Sequence, residues 1–265
     1  MTVLTRTLLN VPEALGELVV IIAVVAGFVA LHAVLQRRFK TDVLRRHNDV
    51  AGYLFSAVGV LYAVLLGFSV VVVWQKYDAT VSNVETEVDA AADLYHVVDG
   101  FPTQRRDAIR GKLAGYARTV ISIEWPAMAA NGDVPDTGAN LLEAISYSIN
   151  TFAPVDIREG NVQQAALQDQ QRLFDARRER LIHAAPAVPV VLWFALIMGA
   201  LSMVAFCYIF GVESRPAQLL MTAILVGLIA ILFCVVYEFA TPFSGSVTIS
   251  PDGWSYLTQR MPKIR

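Results

Sequence analysis

The sequence predicts an all-α membrane protein: four transmembrane helices in two pairs, with a helical soluble domain inserted between spans 2 and 3. Three observations predict it. Asp, Glu, Lys and Arg make up only 17% of the 265 residues, well below the roughly 25% of an average soluble chain. None of them occurs in 18–36, 50–75, 181–212 or 216–237, which together hold 99 residues, so all 44 formal charges fall in the other 166. Between the second and third of these runs, a polar stretch repeats apolar residues at helical spacing.

Each uncharged run is close to or above the ~20 residues that cross a ~30 Å hydrocarbon core as a helix. Outer-membrane strands would instead alternate apolar and polar residues over about ten positions. The first span is expected over 18–35. Arg6 precedes it in the manner of a secretory signal, but the run is longer than a signal's apolar core and lacks an A-x-A-like site, so a retained span is expected. The basic linker Gln36 to Lys40 ends it. The second span is expected over 50–74, with Trp74 and Tyr77 placed as interfacial anchors. These two spans make an N-terminal membrane pair, 1–75.

Residues 76–185 are expected to form a soluble helical bundle; 76–180 carries 11 basic and 16 acidic residues. Tyr77, Val81, Val84, Val88, Ala91, Tyr95 and Val98 follow at spacings of four and three, a coiled-coil-like seam that Gly100 and Pro102 stop. Thr103 is the expected cap of the next helix, where Ile109, Leu113, Tyr116, Val120 and Ile123 repeat the spacing up to Trp125-Pro126. A loop over 131–138 precedes a shorter helix marked by Leu142, Ile145, Ile149 and Phe152. A polar helix from about Gly160 leads to the third span. No breaker separates Trp74 from the seam, or the last insert helix from Pro186, so both insert helices are expected to continue membrane helices. The third and fourth spans, within 186–240, are joined by the short turn Gly211 to Pro216 as a helical hairpin. The tail, 241–265, is expected to be irregular, with Phe243 and Trp254 tucked against the interface or a neighbouring subunit.

Enzyme chemistry has no foothold. There is no phosphate-binding G-x-x-x-x-G-K-[ST], no H-E-x-x-H and no C-x-x-C. His32, His47, His96 and His183 are scattered one per element, so no metal site, cofactor or catalytic residue is expected. A net charge of −2 offers no basic face for nucleic acid. Glu17, His32, His183 and Glu238 lie in or beside the spans; three of the four lie near a helix end and are expected to snorkel to the interface, and His32, inside the first span, is nearly as marginal. Lys and Arg near the span ends divide equally between the two sides, so the positive-inside rule sets no orientation.

The second span is the most informative. Gly52, Ser56, Gly59, Ala63 and Gly67 place small residues on one helical face, suited to close helix packing in lipid. Phe55, Tyr62, Leu66 and Ser69 fall on another. In a ring of subunits that second face would form an apolar constriction that gates ions by dewetting, and the same residues would equally serve plain helix or lipid contact.

Asn48, Gly52, Phe55 and the run Gly59 to Phe68, together with Trp74 and Tyr77, resemble a family of bacterial bestrophin-like membrane proteins. Glu124-Trp125-Pro126, and Pro242-Phe243 with Gly245 and Pro251, resemble it too. The resemblance covers nearly the whole chain. It implies kinship with bestrophins, which are pentameric anion channels whose second membrane helix lines a hydrophobic neck and whose helical bulk is cytosolic. By that resemblance Phe55, Tyr62 and Leu66 would lie near a pore, the chain would assemble as a homo-oligomer in a bacterial inner membrane, and its soluble domain would be cytoplasmic. An acidic calcium clasp after the fourth span is missing, Glu238 and Asp252 being the only acids there, so calcium gating is not expected. The leading expectation is thus a homo-oligomeric channel for inorganic ions, with anions implied by the resemblance. A non-conducting scaffold or sensor whose acidic bundle binds a partner protein is the alternative, and a stator-like subunit of an ion-driven motor a third.

Overall fold

A computed structural model describes residues 13–38, 48–130, 132–185 and 188–261 of the chain. Arg6, Lys40, Arg45, Arg46, His47, Asn131 and Pro186 lie outside these residues. The described residues form helices α1 (Glu13–Arg38), α2 (Asn48–Val97), α3 (Thr103–Thr119), α4 (Trp125–Ala129), α5 (Thr137–Asn150), α6 (Ile157–His183), α7 (Val190–Ile209), α8 (Arg215–Ala240) and α9 (Asp252–Arg260), and no strand. Four of them, α1, α2, α7 and α8, are long and apolar enough to cross a membrane. The chain divides into two compact units, Met1–Gln75 with Ala187–Ala240 and Lys76–Pro186 with Thr241–Arg265.

In the membrane unit, α1 packs along α8, and α7 and α8 form the expected hairpin. Tyr62, Leu66 and Val73 of α2 share a buried cluster with Leu196 and Met203 of α7 and Val236 and Ala240 of α8. Aromatic pairs pack here as well: Trp74 meets Phe239 edge-on at 5.1 Å, and Trp193 meets Phe233 at a tilt, 5.9 Å between ring centroids. Asn48 opens α2 and ties it to the hairpin turn. Its Nδ2 donates to the Gly211 carbonyl at 2.8 Å, and its Oδ1 accepts from Gly211 N–H at 3.0 Å.

In the second unit the expected apolar stripes become one core. Val84, Ala91, Tyr95 and Val98 from α2 and its end join Ile109, Leu113, Tyr116 and Val120, then Leu142, Ile145 and Ile149, then Ala166 and Leu173. The seam beginning at Tyr77 therefore packs within its own bundle. Helix α6 starts at Ile157, three residues earlier than expected, on the N-cap Asp156, which accepts from Glu159 N–H at 2.7 Å, while Glu159 accepts from Val155 N–H at 2.9 Å just before the cap.

Four expectations need correction. Thr103 lies inside the first turn of α3, and Pro102 takes the cap position. The helix does not stop at Trp125-Pro126. A π-turn over Val120–Glu124 passes the backbone into α4, where a proline in the first turn costs no hydrogen bond. Helix α2 does run unbroken for 50 residues, but α6 ends at His183 and α7 begins at Val190 after an extended Pro189, so the last insert helix does not continue into the third span. Finally, the tail is irregular only up to Pro251. Helix α9 follows, and Phe243 and Trp254 pack into the core of the second unit of the same chain.

Candidate functional site

Helix α2 carries the candidate site. A helix turns 100° per residue, so residues spaced by three, four and seven share a line. Phe55, Tyr62, Leu66 and Ser69 do share a face, but it points into this chain. Leu66 and Ser69 are buried, Phe55 is half-buried against Phe206 and Phe210, and Tyr62 is 7% exposed. Tyr62 fits because position 199 on α7 has no side chain: a Cβ there would overlap the ring. Ser69 donates to the Leu65 carbonyl at 2.8 Å. Within this chain the face packs in a buried cluster with α7 and α8. The small-residue stripe splits. Gly52 and Gly59 adjoin Phe210 and Met203, whereas Ser56, Ala63 and Gly67 are exposed.

The outward line of α2 lies half a turn away. It comprises Tyr53, Ala57, Val60, Val64, Gly67 and Val71, all exposed. Continuing the register, it passes Asp78, Ser82, Glu85 and Asp89, also exposed, and reaches Asp93. Among the described residues, Asp78, Glu85 and Asp89 have no ion-pair partner, while Asp93 sits 3.5 Å from Arg172. Lys76, the one cation on this stretch of helix, is turned aside and donates to the Ala185 carbonyl at 3.1 Å. One helix thus presents an apolar line over its membrane half and an acidic line beyond it.

The second unit is braced by a buried ionic network that the sequence reading did not find. Arg180, Glu87 and Glu124 are fully buried. Arg180 donates from Nε to Glu87 Oε2 at 2.6 Å, from Nη2 to Glu87 Oε1 at 3.0 Å and from Nη2 to Glu124 Oε2 at 2.6 Å. Arg177 donates to Glu124 Oε1 at 2.8 and 3.2 Å, and the Tyr116 hydroxyl donates to Glu87. Two carboxylates and two guanidiniums leave the cluster neutral, and every oxygen is engaged, which is what burial of charge demands. Burial, reinforced by the Glu87 charge, pushes the Tyr116 phenol well above its usual value. For Arg180, burial favours deprotonation, but the charge of Glu87 and its hydrogen bonds outweigh it and hold the guanidinium ionised.

The quoted sequence motifs meet here. The π-turn aims Glu124 into the network, and Gly138 must be glycine because a Cβ would collide with the Glu124 carboxylate. Trp125 lies under Arg180, with 5.4 Å from guanidinium carbon to ring centroid, and donates its indole N–H to the Ile249 carbonyl at 3.0 Å. Phe243 meets Trp125 edge-on at 5.3 Å, and Trp254 meets Tyr116 at 5.5 Å. Gly245, at φ 102°, makes the turn that returns Ile249 N–H to the Pro242 carbonyl at 2.8 Å, and Pro251 starts α9. Glu124-Trp125-Pro126 and the Pro242 to Pro251 segment are thus two sides of one contact. Among the described residues no cluster of His, Cys, Asp and Glu could hold a metal ion.

A four-span membrane unit with a helical soluble unit inserted in it, the second span continuing into that unit, matches the model of the bestrophin-like domain over residues 22–254. The chain belongs to the bestrophin-like family, which places it in a family of ion channels. Its fold is that of a bacterial bestrophin homologue from Klebsiella pneumoniae. One point variant of that protein aligns with a TM-score of 0.65 at 11% identity over 89% of this chain and 98% of its own. Another variant gives 0.62 at 12% identity over 91% and 96%, and a further structure of the same homologue gives 0.61 at 12% over 89% and 96%. Among curated proteins, none is matched in sequence at a significant level.

Proposed function

We propose that the chain is the subunit of a homo-oligomeric cation channel in which α2 from each copy lines the conduit with its outward face. The observation that carries the reading is the single 50-residue helix whose exposed line is apolar over Tyr53, Val60, Val64 and Val71 and acidic over Asp78, Glu85 and Asp89. Repeated around an axis, the apolar half forms a constriction that passes ions only when wetted, and the acidic half stacks rings of carboxylates on one side of it. Rings of Asp and Glu concentrate cations and repel anions, so the charge pattern favours cations over the anions that kinship with bestrophins implies. Five is the copy number that kinship implies, and by the same kinship the protein sits in a bacterial inner membrane with its second unit in the cytoplasm. The scaffold alternative loses its motive, because the seam from Tyr77 to Val98 is consumed by the chain's own core.

Purified protein in liposomes, assayed separately for K+ and Cl− flux, tests the reading, with mass measurement of the detergent-solubilised complex alongside. K+ flux above that of protein-free liposomes, increased by Val64→Ser, is expected from an oligomer. A monomer, or no flux from any variant, would overturn it.

A further inference from the structure

Helices α1, α7 and α8 enclose a chain of hydrogen bonds whose direction is fixed by counting protons. One end of the buried Gln218 amide faces the Phe210 carbonyl and, at 3.4 Å, the Cys207 carbonyl. Both are acceptors, so that end is the NH2 group and the amide oxygen turns toward Gln36. Gln36 Nε2 donates to that oxygen at 2.9 Å and lies 3.4 Å from His32 Nε2. His32 Nδ1 lies 2.8 Å from the Thr222 hydroxyl, which is 3.1 Å from the Gln218 main-chain carbonyl, an acceptor only. The arrangement that satisfies all of these contacts at once is a neutral ring with its proton on Nδ1, donating to the hydroxyl, while its Nε2 lone pair accepts the second N–H of Gln36.

The ring is buried, 1% exposed. The groups facing it are Gln36 from α1, Thr222 and Gln218 from α8, and Tyr208 and Cys207 from α7. Tyr208 stacks at 4.6 Å and donates to the Phe28 carbonyl at 2.8 Å. Of these only Tyr208 and Cys207 titrate, and both are uncharged near neutral pH. Arg37, Arg38 and Arg215 are exposed at helix ends, and Glu17 and Glu238 lie four or more turns away along their helices.

We propose that His32 is a proton-sensing switch that controls the attachment of the α7–α8 turn to the first span. A proton taken from water onto Nε2 sets an N–H against the N–H of Gln36. Turning the Gln36 amide over relieves that contact but opposes its oxygen to the Gln218 oxygen. Turning Gln218 in its place gives up the bonds to the Phe210 and Cys207 carbonyls. No arrangement of the two amides satisfies a doubly protonated ring, so protonation must open the chain at the end of α7. Phe210 closes that helix, and its ring meets Phe55 of α2 edge-on at 5.8 Å, so the release acts where the third span holds the second.

The test titrates full-length protein in nanodiscs from pH about 7.5 down to about 4.5, a range that begins above the ordinary imidazole value near 6.5 and extends well below it. The 15N shifts of labelled histidine report the tautomer. Amide exchange, corrected for its intrinsic pH dependence, reports opening at Phe210, Gly211 and Gln218. Expected are a neutral Nδ1–H ring at the higher pH, a doubly protonated ring at the lower, and exchange faster there by on the order of tenfold, the equivalent of one lost buried hydrogen bond. His32→Gln abolishes the step and His96→Gln keeps it. Should His32→Gln not fold, Gln36→Met serves: the turn then exchanges fast throughout the range. An Nε2–H ring at the higher pH, no step in the wild type, or a step that survives in the folded variant overturns the proposal.

Discussion

Replacing Arg180 by Met asks whether the buried network holds the second unit together. The substitution nearly conserves volume but removes the three hydrogen bonds to carboxylates, two to Glu87 and one to Glu124, and a weaker one to the Met128 sulfur. Glu124 keeps Arg177, whereas Glu87 keeps only the Tyr116 hydroxyl and becomes an uncompensated buried charge. Breaking a buried pair in this way costs about 3–5 kcal/mol, a large share of the roughly 5–15 kcal/mol that stabilises a domain. The cause can be separated from the loss of packing. Arg180→Met with Glu87→Leu and Tyr116→Phe removes the stranded charge and its donor together and leaves the neutral Glu124–Arg177 pair, so most of the loss should return. The assay is urea unfolding of full-length protein in nanodiscs, with Trp74 and Trp193 replaced by Phe so that Trp125 and Trp254 report the second unit. With a slope of about 2 kcal/mol per molar urea, the single variant should lower the midpoint by about 2 M and the triple variant by less than half of that. A single-variant shift under about 0.5 M, or a triple variant less stable than the single, would refute the reasoning.

Tyr116 gives an alkaline signature. Because its folded-state value is raised, its contribution to stability is complete below the unfolded value near 10 and is lost as pH rises above it, so Tyr116→Phe should flatten the alkaline limb of a stability–pH curve. At neutral pH the same variant should cost about 1–3 kcal/mol by removing a donor from buried Glu87, measurable in the same urea titration. Gly199→Ala should displace the Tyr62 ring and lower the thermal midpoint of the membrane unit, at a cost of about 1–3 kcal/mol for overpacking. Trp254→Ala should cost the second unit about 3–5 kcal/mol, because the side chain is fully buried, and should speed proteolysis of the tail.

The spans are legible in the sequence because a charge inside lipid is costly wherever it points, so its absence over some 20 residues is a signal in itself. The bundle is legible for a related reason: in water, Leu113 and Tyr116 must face inward, and their spacing shows which face does. Which face of α2 turns inward is not legible. Lipid is as apolar as Leu66, so apolar residues in a span do not distinguish the protein side from the lipid side, and the decisive feature is Gly199, about 140 residues away from Tyr62. The tail and the ionic network are hidden by distance along the chain. Glu87 and Arg180 are 93 residues apart, and nothing local marks either as buried. Glu124-Trp125-Pro126 and Pro242-Phe243 stand out as motifs, but only the fold shows that Trp125 and Phe243 touch. The acidic line of α2 follows from the continuity of the helix: Asp78, Glu85 and Asp89 keep the helical register of Val64 and Val71 because the helix is unbroken.

The central claim is that the outward face of α2 carries cations. The most direct measurement is the reversal potential of purified protein in planar bilayers under a KCl gradient, for wild type and for Asp78→Asn/Glu85→Gln/Asp89→Asn. These three side chains are exposed and take no part in either core, so the triple variant should fold and assemble as the wild type does. The account predicts a wild-type reversal potential near that of K+, moving toward zero in the triple variant. A wild-type value near that of Cl−, or one unmoved by removal of the three carboxylates, would contradict it.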